Sequence, residues 1–220
     1  MCLFCLESSN PQAASFFLGE DWPYPDRVIA ANEDMYAVPG FGPQVFPYVL
    51  LISRRHFSCL SDATPRERRS LFRILQGLRA SSLFVGGSMC VFEHGGCKNR
   101  TQSCIDHFHL HIVDGTLDLR SYLEAEYVCE DVAVTSEAAF VASTRYLFAG
   151  FYDRSHEIKG ILARSPEPES QYFRRKIATV TGQAQWDWRA GMNRHLMLKV
   201  MERAPNTAGD RTLATTPRPR

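Results

Sequence analysis

Asp106-His107-Phe108-His109-Leu110-His111-Ile112-Val113 sets three histidines on alternate positions, with apolar residues between them. Successive side chains of an extended strand point to opposite faces. This spacing therefore puts the three imidazoles on one face, about 6 to 7 Å apart, and Phe108, Leu110 and Ile112 on the other. One face then carries chemistry and the other builds core. Three histidines in register on a buried strand would need three sets of hydrogen-bond partners where folding otherwise places apolar atoms, so packing alone explains the pattern poorly. Two chemistries suit it: a metal site, because neutral imidazole ligates zinc, copper or iron, and nucleophilic catalysis by one histidine flanked by two others. Three ligands on one flat strand make an awkward tetrahedron, whereas catalysis needs one attacking nitrogen beside a polarised phosphate.

The segment leading into this strand runs Phe92-Glu93-His94-Gly95-Gly96-Cys97-Lys98-Asn99-Arg100-Thr101-Gln102-Ser103-Cys104. Its glycines permit close backbone approach to a ligand. Lys98 and Arg100 add positive charge, and Asn99, Gln102 and Ser103 add neutral donors, as an anion-binding loop requires. The plain alternative is a solvated glycine-rich turn. His94 suits protonation of a leaving group or a phosphate contact, and equally a structural role at the end of a strand from Ser88 to Phe92.

Further out, Val28–Val38 reads as a strand with an irregular middle, and Phe46–Ile52 as a strand reaching His56. Thr64-Pro65-Arg66-Glu67 is a helix start, opening an amphipathic helix to about Leu83 with Leu71, Ile74, Leu75 and Leu78 on one side. Met89–Phe92 and Cys104–Val113 complete an antiparallel sheet covered by that helix. The fold class is α+β. Beyond Gly115, a helix is expected over Leu117–Glu124, a hairpin over Tyr146–Tyr152 and Glu157–Leu162, and helices over Ser170–Thr181 and up to about Glu202.

Residues 107–113 resemble the signature of the histidine triad superfamily: His, apolar, His, apolar, His, apolar, apolar. Cys2-Leu3-Phe4-Cys5 looks like the amino-terminal Cys-x-x-Cys of its zinc-containing branch, and Leu50-Leu51-Ile52-Ser53-Arg54-Arg55-His56 is similar to the strand ending in that family's further histidine. The likeness reaches to about residue 115. It implies an antiparallel sheet with covering helices and a catalytic core over 1–115; the elements beyond read as a carboxy-terminal α/β extension over 116–203, and the Pro-, Thr- and Arg-rich composition of 204–220 reads as a disordered tail. It also implies an enzyme, a hydrolase, phosphorylase or nucleotidyltransferase, acting on a small nucleotide-type substrate. His109 would attack the α-phosphorus to form a nucleotidyl-histidine, and His111 would stabilise charge on the phosphate oxygens. The other nitrogen of His109 would donate to a backbone carbonyl, fixing the tautomer.

By the same resemblance Cys2, Cys5, His56 and His107 form a structural zinc site, against the alternative of two small buried thiols and a loop histidine. The phosphate-binding set is His94, Lys98, Asn99, Gln102, Ser103, Cys104 and Arg174. Cys104 stands where the family usually has serine. Gln171, Arg174 and Arg175, with Trp186-Asp187-Trp188-Arg189, resemble the carboxy-terminal end of related enzymes, although Tyr172, Phe173, Ile177 and the tryptophans also suit a core. A homodimer is expected on the same ground. The competing readings are a nucleotide-binding protein without turnover, and a metal-dependent phosphoester hydrolase with all three triad histidines as ligands.

Composition is compatible with this. The chain has 220 residues, 45% of them hydrophobic, enough for a sizeable core. A net charge of +1 gives no reason to propose a nucleic-acid or membrane partner. No apolar run is long enough for a membrane span, and the start lacks a secretory pattern, so a cytoplasmic protein is expected. Seven cysteines fit free thiols and a metal clip better than a disulfide framework.

Overall fold

Alternating apolar residues recur in the segments flanking the histidine strand, and they assemble one sheet. The computed structural model describes residues 2–19, 21–96, 105–142, 145–164 and 169–204. Its strands are β1 (Ala30–Ala31), β2 (Met35–Pro39), β3 (Tyr48–Ser53), β4 (Met89–Gly95), β5 (His109–Asp114), β6 (Cys129–Val134), β7 (Tyr146–Tyr152) and β8 (Ile158–Arg164). They run in the order β1-β2-β3-β5-β4-β7-β8-β6, each neighbouring pair antiparallel. The helices are α1 (Leu3–Ser9), α2 (Ser15–Leu18), α3 (Pro65–Ala80), α4 (Leu119–Glu126), α5 (Tyr172–Thr181) and α6 (Arg194–Arg203). The fold is α+β, with helices on both faces of the sheet. No helix among the described residues is long and apolar enough to cross a membrane.

The period of two decides which layer each residue joins. Leu110 and Ile112 of β5, Val49 and Leu51 of β3 and Met89 and Val91 of β4 pack with Leu71, Leu75 and Leu78 of α3 and with Met197 and Val200 of α6. Their strand neighbours Tyr48, Leu50, Ile52, Cys90, Phe92 and Val113 point the other way, toward Phe4 of α1, Leu119 and Leu123 of α4, and Tyr172, Phe173 and Ile177 of α5. The histidine face is therefore not left open: a second apolar layer covers it. The strands after residue 116 continue the same sheet, with β7 pairing along the whole of β4.

Helix α3 begins as its sequence dictates. Thr64 Oγ1 accepts the Glu67 N–H at 3.3 Å and Glu67 Oε2 accepts the Thr64 N–H at 2.8 Å, with Pro65 in the first turn. It ends at Ala80, short of the expected Leu83, because Ser81 turns to extended backbone and its hydroxyl caps the Leu78 carbonyl at 2.6 Å. The irregular middle of Val28–Val38 is an Asn turn, in which Asn32 Oδ1 accepts the N–H groups of Asp34 and Met35. The expected strand over Cys104–Val113 starts only at His109. Residues 105–108 curl away from ladder pairing, the Phe108 N–H donating to the Phe57 carbonyl. Helices α4 and α5 start two residues later than expected, at Leu119 and Tyr172.

Among the described residues, α1, the short helical stretch after it, the single turn at Leu60–Asp62 and β6 have no counterpart in the sequence reading. Strand β6 sits at the sheet edge with mixed burial, and its Cys-Glu-Asp-Val-Ala-Val sequence lacks the alternation that marks a half-buried strand. The tail from residue 205 lies outside the described residues.

Candidate active site and metal centre

His107 precedes β5 and is fully buried. Its Nε2 lies 2.7 Å from the Ser53 carbonyl and 3.1 Å from the Ser53 hydroxyl. A carbonyl only accepts, so Nε2 carries the proton and Nδ1 carries a lone pair, which faces Cys2 Sγ at 3.4 Å and Cys5 Sγ at 3.5 Å. Burial, the largest cause, holds the ring neutral by lowering its pKa to about 4. His56 Nδ1 reaches Cys5 Sγ at 3.3 Å. The ligand atoms of Cys2, Cys5, His56 and His107 all lie within 4.8 Å of one another. A tetrahedron with ordinary zinc–sulfur and zinc–nitrogen bond lengths has ligand-to-ligand edges of roughly 3.5 Å, which the thiol–imidazole separations of 3.3, 3.4 and 3.5 Å match. Burial, then the neighbouring Cys2 thiol, push the Cys5 thiol up; a divalent cation there would reverse that preference.

The cysteines reach this point because α1 is seated by a buried ion pair. Arg27 Nε and Nη2 donate to Glu7 Oε1 and Oε2 at 2.7 and 2.9 Å, and both side chains are 0% exposed. Arg27 Nη1 donates to the Pro39 carbonyl, and its guanidinium lies 3.9 Å from the centre of the Phe41 ring. Tyr36 Oη donates to the Phe4 carbonyl at 3.0 Å. Cys2 caps α1 and Cys5 lies one turn on, so seating the helix presents both thiols together.

Within β5 the next two histidines behave differently. His109 Nδ1 lies 2.7 Å from the His107 carbonyl and must donate to it, which leaves the lone pair on Nε2. His111 is stacked on Phe92 of β4, its cross-strand partner, with ring centres 4.7 Å apart and planes 4° apart. Its Nδ1 is 2.9 Å from Tyr48 Oη. Burial, then the positive sides of His109, Arg174 and His94, hold the His111 pKa well below the ordinary histidine value. The ring centres of His109 and His111 are 4.9 Å apart, while Phe4 stands edge-on to both His107 and His109. The three imidazoles therefore do not form an evenly spaced row: His107 turns to the sulfurs, and His109 and His111 share a cleft.

That cleft is lined by Phe92, His94, Ile105, His109 and His111, by Gln171, Tyr172, Phe173 and Arg174, and by Trp188. His94 belongs to it because β4 alternates and places Phe92 and His94 on the histidine face. The adjoining Gly95 is required by its cross-strand partner: a Cβ there would lie 2.1 Å from Tyr146 Cζ. Arg174 lies in the cleft wall with its donors spread over several acceptors: the Trp186 carbonyl at 2.9 Å, the Gly42 carbonyl at 2.5 Å, and the Phe41 carbonyl and Tyr48 Oη at 3.4 Å each. Gly42 has φ +54°, and a Cβ there would meet the Gly191 carbonyl at 2.5 Å, so this bend is open to glycine alone. Lys98, Asn99, Gln102, Ser103 and Cys104, read from sequence as phosphate contacts, lie outside the described residues. Tyr48, Ser53 and the Glu7–Arg27 pair escaped the sequence reading. Their partners are far away in the chain, and only the pairing of β3 with β5 could have pointed to Tyr48 and Ser53.

No family model matches the chain, and no curated protein matches it. Among solved structures it is similar to a Zn-bound histidine triad family protein from Mycobacterium smegmatis, at 21% identity over 51% of this chain and 73% of the other, with a TM-score of 0.35. It is also similar to yeast Ap4A phosphorylase, at 14% identity over 86% of this chain and 79% of the other, with a TM-score of 0.39. Likeness at this level leaves the functional reading to the residues themselves.

Proposed function

We propose that this protein is a histidine-triad-type enzyme that cleaves or transfers at the α-phosphorus of a nucleoside polyphosphate or nucleotide conjugate, with His109 as nucleophile. The observation that carries the reading is the 2.7 Å hydrogen bond from His109 Nδ1 to the His107 carbonyl. It commits the ring proton to Nδ1 and makes Nε2 the nucleophilic nitrogen. Nε2 forms a bond to phosphorus, the bond from phosphorus to the leaving oxygen breaks, and the leaving group takes a proton from His94 or water as its basicity demands. The imidazole becomes cationic in this step, and the His107 carbonyl stabilises it through the same hydrogen bond. Water, phosphate or another acceptor then attacks phosphorus, loses its proton, and returns the electron pair to Nε2. His111 donates toward the phosphate oxygens, whose charge grows as the new bond forms.

Cys2, Cys5, His56 and His107 are the residues that would hold a zinc ion. With four protein ligands the site is closed, so the ion would supply structure by fixing α1 and the segment before β5. The Ser53 carbonyl then serves as the partner that orients a metal-bound histidine. The His107 carbonyl that holds His109 belongs to a residue clamped in this way, so the metal would position the nucleophile without entering the cleft. A hydrolase using all three triad histidines as metal ligands is the weaker reading, because the two ring nitrogens of His107 are turned to the cysteines and to Ser53.

Intact-mass measurement after rapid quench with dinucleoside polyphosphates, nucleotide sugars and adenylated compounds tests the reading. A nucleotidyl mass increment lost in His109→Ala is expected. Failure to form an adduct or product with the whole panel would overturn it in favour of a binding protein.

A further inference from the structure

The carboxy-terminal part of the chain enters the reaction centre by a hydrogen-bond path that runs through a tyrosine on another strand. We propose that Arg174 and Tyr48 are positioning residues that fix His111 as an Nε2–H donor toward the substrate. This inference rests on the catalytic reading above.

A guanidinium can only donate, and Arg174 Nη1 lies 3.4 Å from Tyr48 Oη. Its Nε and Nη2 donate to the Trp186 and Gly42 carbonyls and Nη1 also faces the Phe41 carbonyl, so its direction is set by two backbone segments. Tyr48 is fully buried. With its oxygen accepting from Arg174, its single proton is available for His111 Nδ1, 2.9 Å away. A hydroxyl can donate to Nδ1 only if that nitrogen holds a lone pair, which puts the imidazole proton on Nε2. The reverse arrangement, Nδ1–H donating to the tyrosine oxygen, would leave the phenolic proton buried without an acceptor among the described residues, a costly state.

The stack of His111 on Phe92 fixes the plane of the ring. Nε2 lies on the side of the imidazole away from Tyr48, and His111 lines the cleft it shares with His109. Two neighbouring histidines are thereby given opposite tautomers by different partners. His109 is held by a carbonyl with its proton on Nδ1, and His111 by a hydroxyl with its proton on Nε2. One nitrogen is left to attack and one to donate. Burial first, and then the charges of His109 and Arg174, also oppose a second proton on His111, so the donor is neutral imidazole.

Arg174 thus affects the chemistry without spending its fork on the phosphate. Tyr48 brings its hydroxyl to His111 as the Ser53 hydroxyl of the same strand meets His107, and Phe is its isosteric control. In full-length protein labelled with nitrogen-15 histidine, long-range proton–nitrogen correlation is expected to report His111 as the Nε2–H tautomer, and Tyr48→Phe to convert it to a mixture or to Nδ1–H. With diadenosine tetraphosphate as probe, Tyr48→Phe is expected to slow adduct formation roughly tenfold or more, the loss of a buried hydrogen bond. The apparent affinity for the probe should change far less. An Nδ1–H signature for His111 in the unaltered protein, or an unchanged tautomer in Tyr48→Phe, would overturn the inference. Absence of an adduct in the unaltered protein would overturn the catalytic reading and the catalytic consequence together, while the nitrogen signals separately decide the hydrogen-bond path.

Discussion

Glu7→Gln is the substitution whose effect follows most directly from the geometry. It keeps the size of the side chain and removes its charge, so the Arg27 guanidinium stays 0% exposed with only uncharged groups opposite it: the new amide oxygen, the Pro39 carbonyl and the Phe41 ring. Breaking a buried pair from one side costs about 3–5 kcal/mol, because the remaining charge is left uncompensated. Against a total stability of about 5–15 kcal/mol, that is a large fraction. The chain has a cheaper escape than global unfolding: α1 can lift from the sheet and let Arg27 reach water. Lifting α1 separates Cys2 and Cys5 from His107, so the penalty should appear as weaker metal retention. At about 1.4 kcal/mol per tenfold, the affinity for zinc should fall by two to three orders of magnitude or slightly more. The assay is competition for zinc with a chromogenic chelator, beside urea unfolding of the same samples. Glu7→Met combined with Arg27→Met should recover most of the loss, since the pair is removed as a unit. Zinc retention and urea midpoint both unchanged in Glu7→Gln would refute the reasoning, as would a double variant as damaged as the single one.

Cys5→Ala should abolish metal binding: elemental analysis is expected to give one equivalent of zinc in the unaltered protein and none in the variant, and a metal-free unaltered protein would reject the site. Glu93 is buried on β4, where burial raises its pKa from 4.5 to about 8 despite the Tyr146 hydroxyl and Leu60 N–H that it accepts. The folded chain then holds a proton that the unfolded chain releases across that window, so this group makes stability fall as pH rises from 4.5 to about 8. Glu93→Gln should flatten the fall, by at most about 1.4 kcal/mol per pH unit, in urea midpoints measured across the range; an unchanged slope would show that Glu93 is already ionised. Thr64→Ala should cost about 1 kcal/mol through loss of the α3 cap, read from the same unfolding curves.

Much of the sheet was legible because its period of two and its turn residues are local. The alternation in residues 107–113 separated Leu110 and Ile112 from His109 and His111, and the Thr-Pro-Arg-Glu start marked α3. The edge strand β6 was illegible because half its residues face solvent and two of those, Glu130 and Asp131, carry charge. Helix α1 was illegible for another reason: at seven residues it is too short to be held by propensity, and it depends on Arg27, twenty positions away. In the site, residue types were readable but directions were not. Alternate spacing suggested three imidazoles in an even row on one face. The backbone bend at residues 105–108 instead turns His107 away and lets its carbonyl, a group common to every residue, orient His109. Arg174 was legible as a cation near the site; its commitment to carbonyls from Phe41, Gly42 and Trp186 depends wholly on tertiary contact.

That commitment bears on how the chain is made. Residue 174 follows residue 109 by 65 positions, which at a synthesis rate of about 5–20 residues per second takes the ribosome some seconds, and the exit channel adds to the wait. Until α5 emerges, the layer of Tyr172, Phe173 and Ile177 that covers the histidine face does not exist, and Phe92, Leu50 and Val113 are left facing water. The nascent protein therefore passes through a stage in which its central strands can pair but one side of its sheet has only α1 and α4 to cover it. That part of the surface stays exposed for those seconds, until α5 leaves the ribosome and closes it.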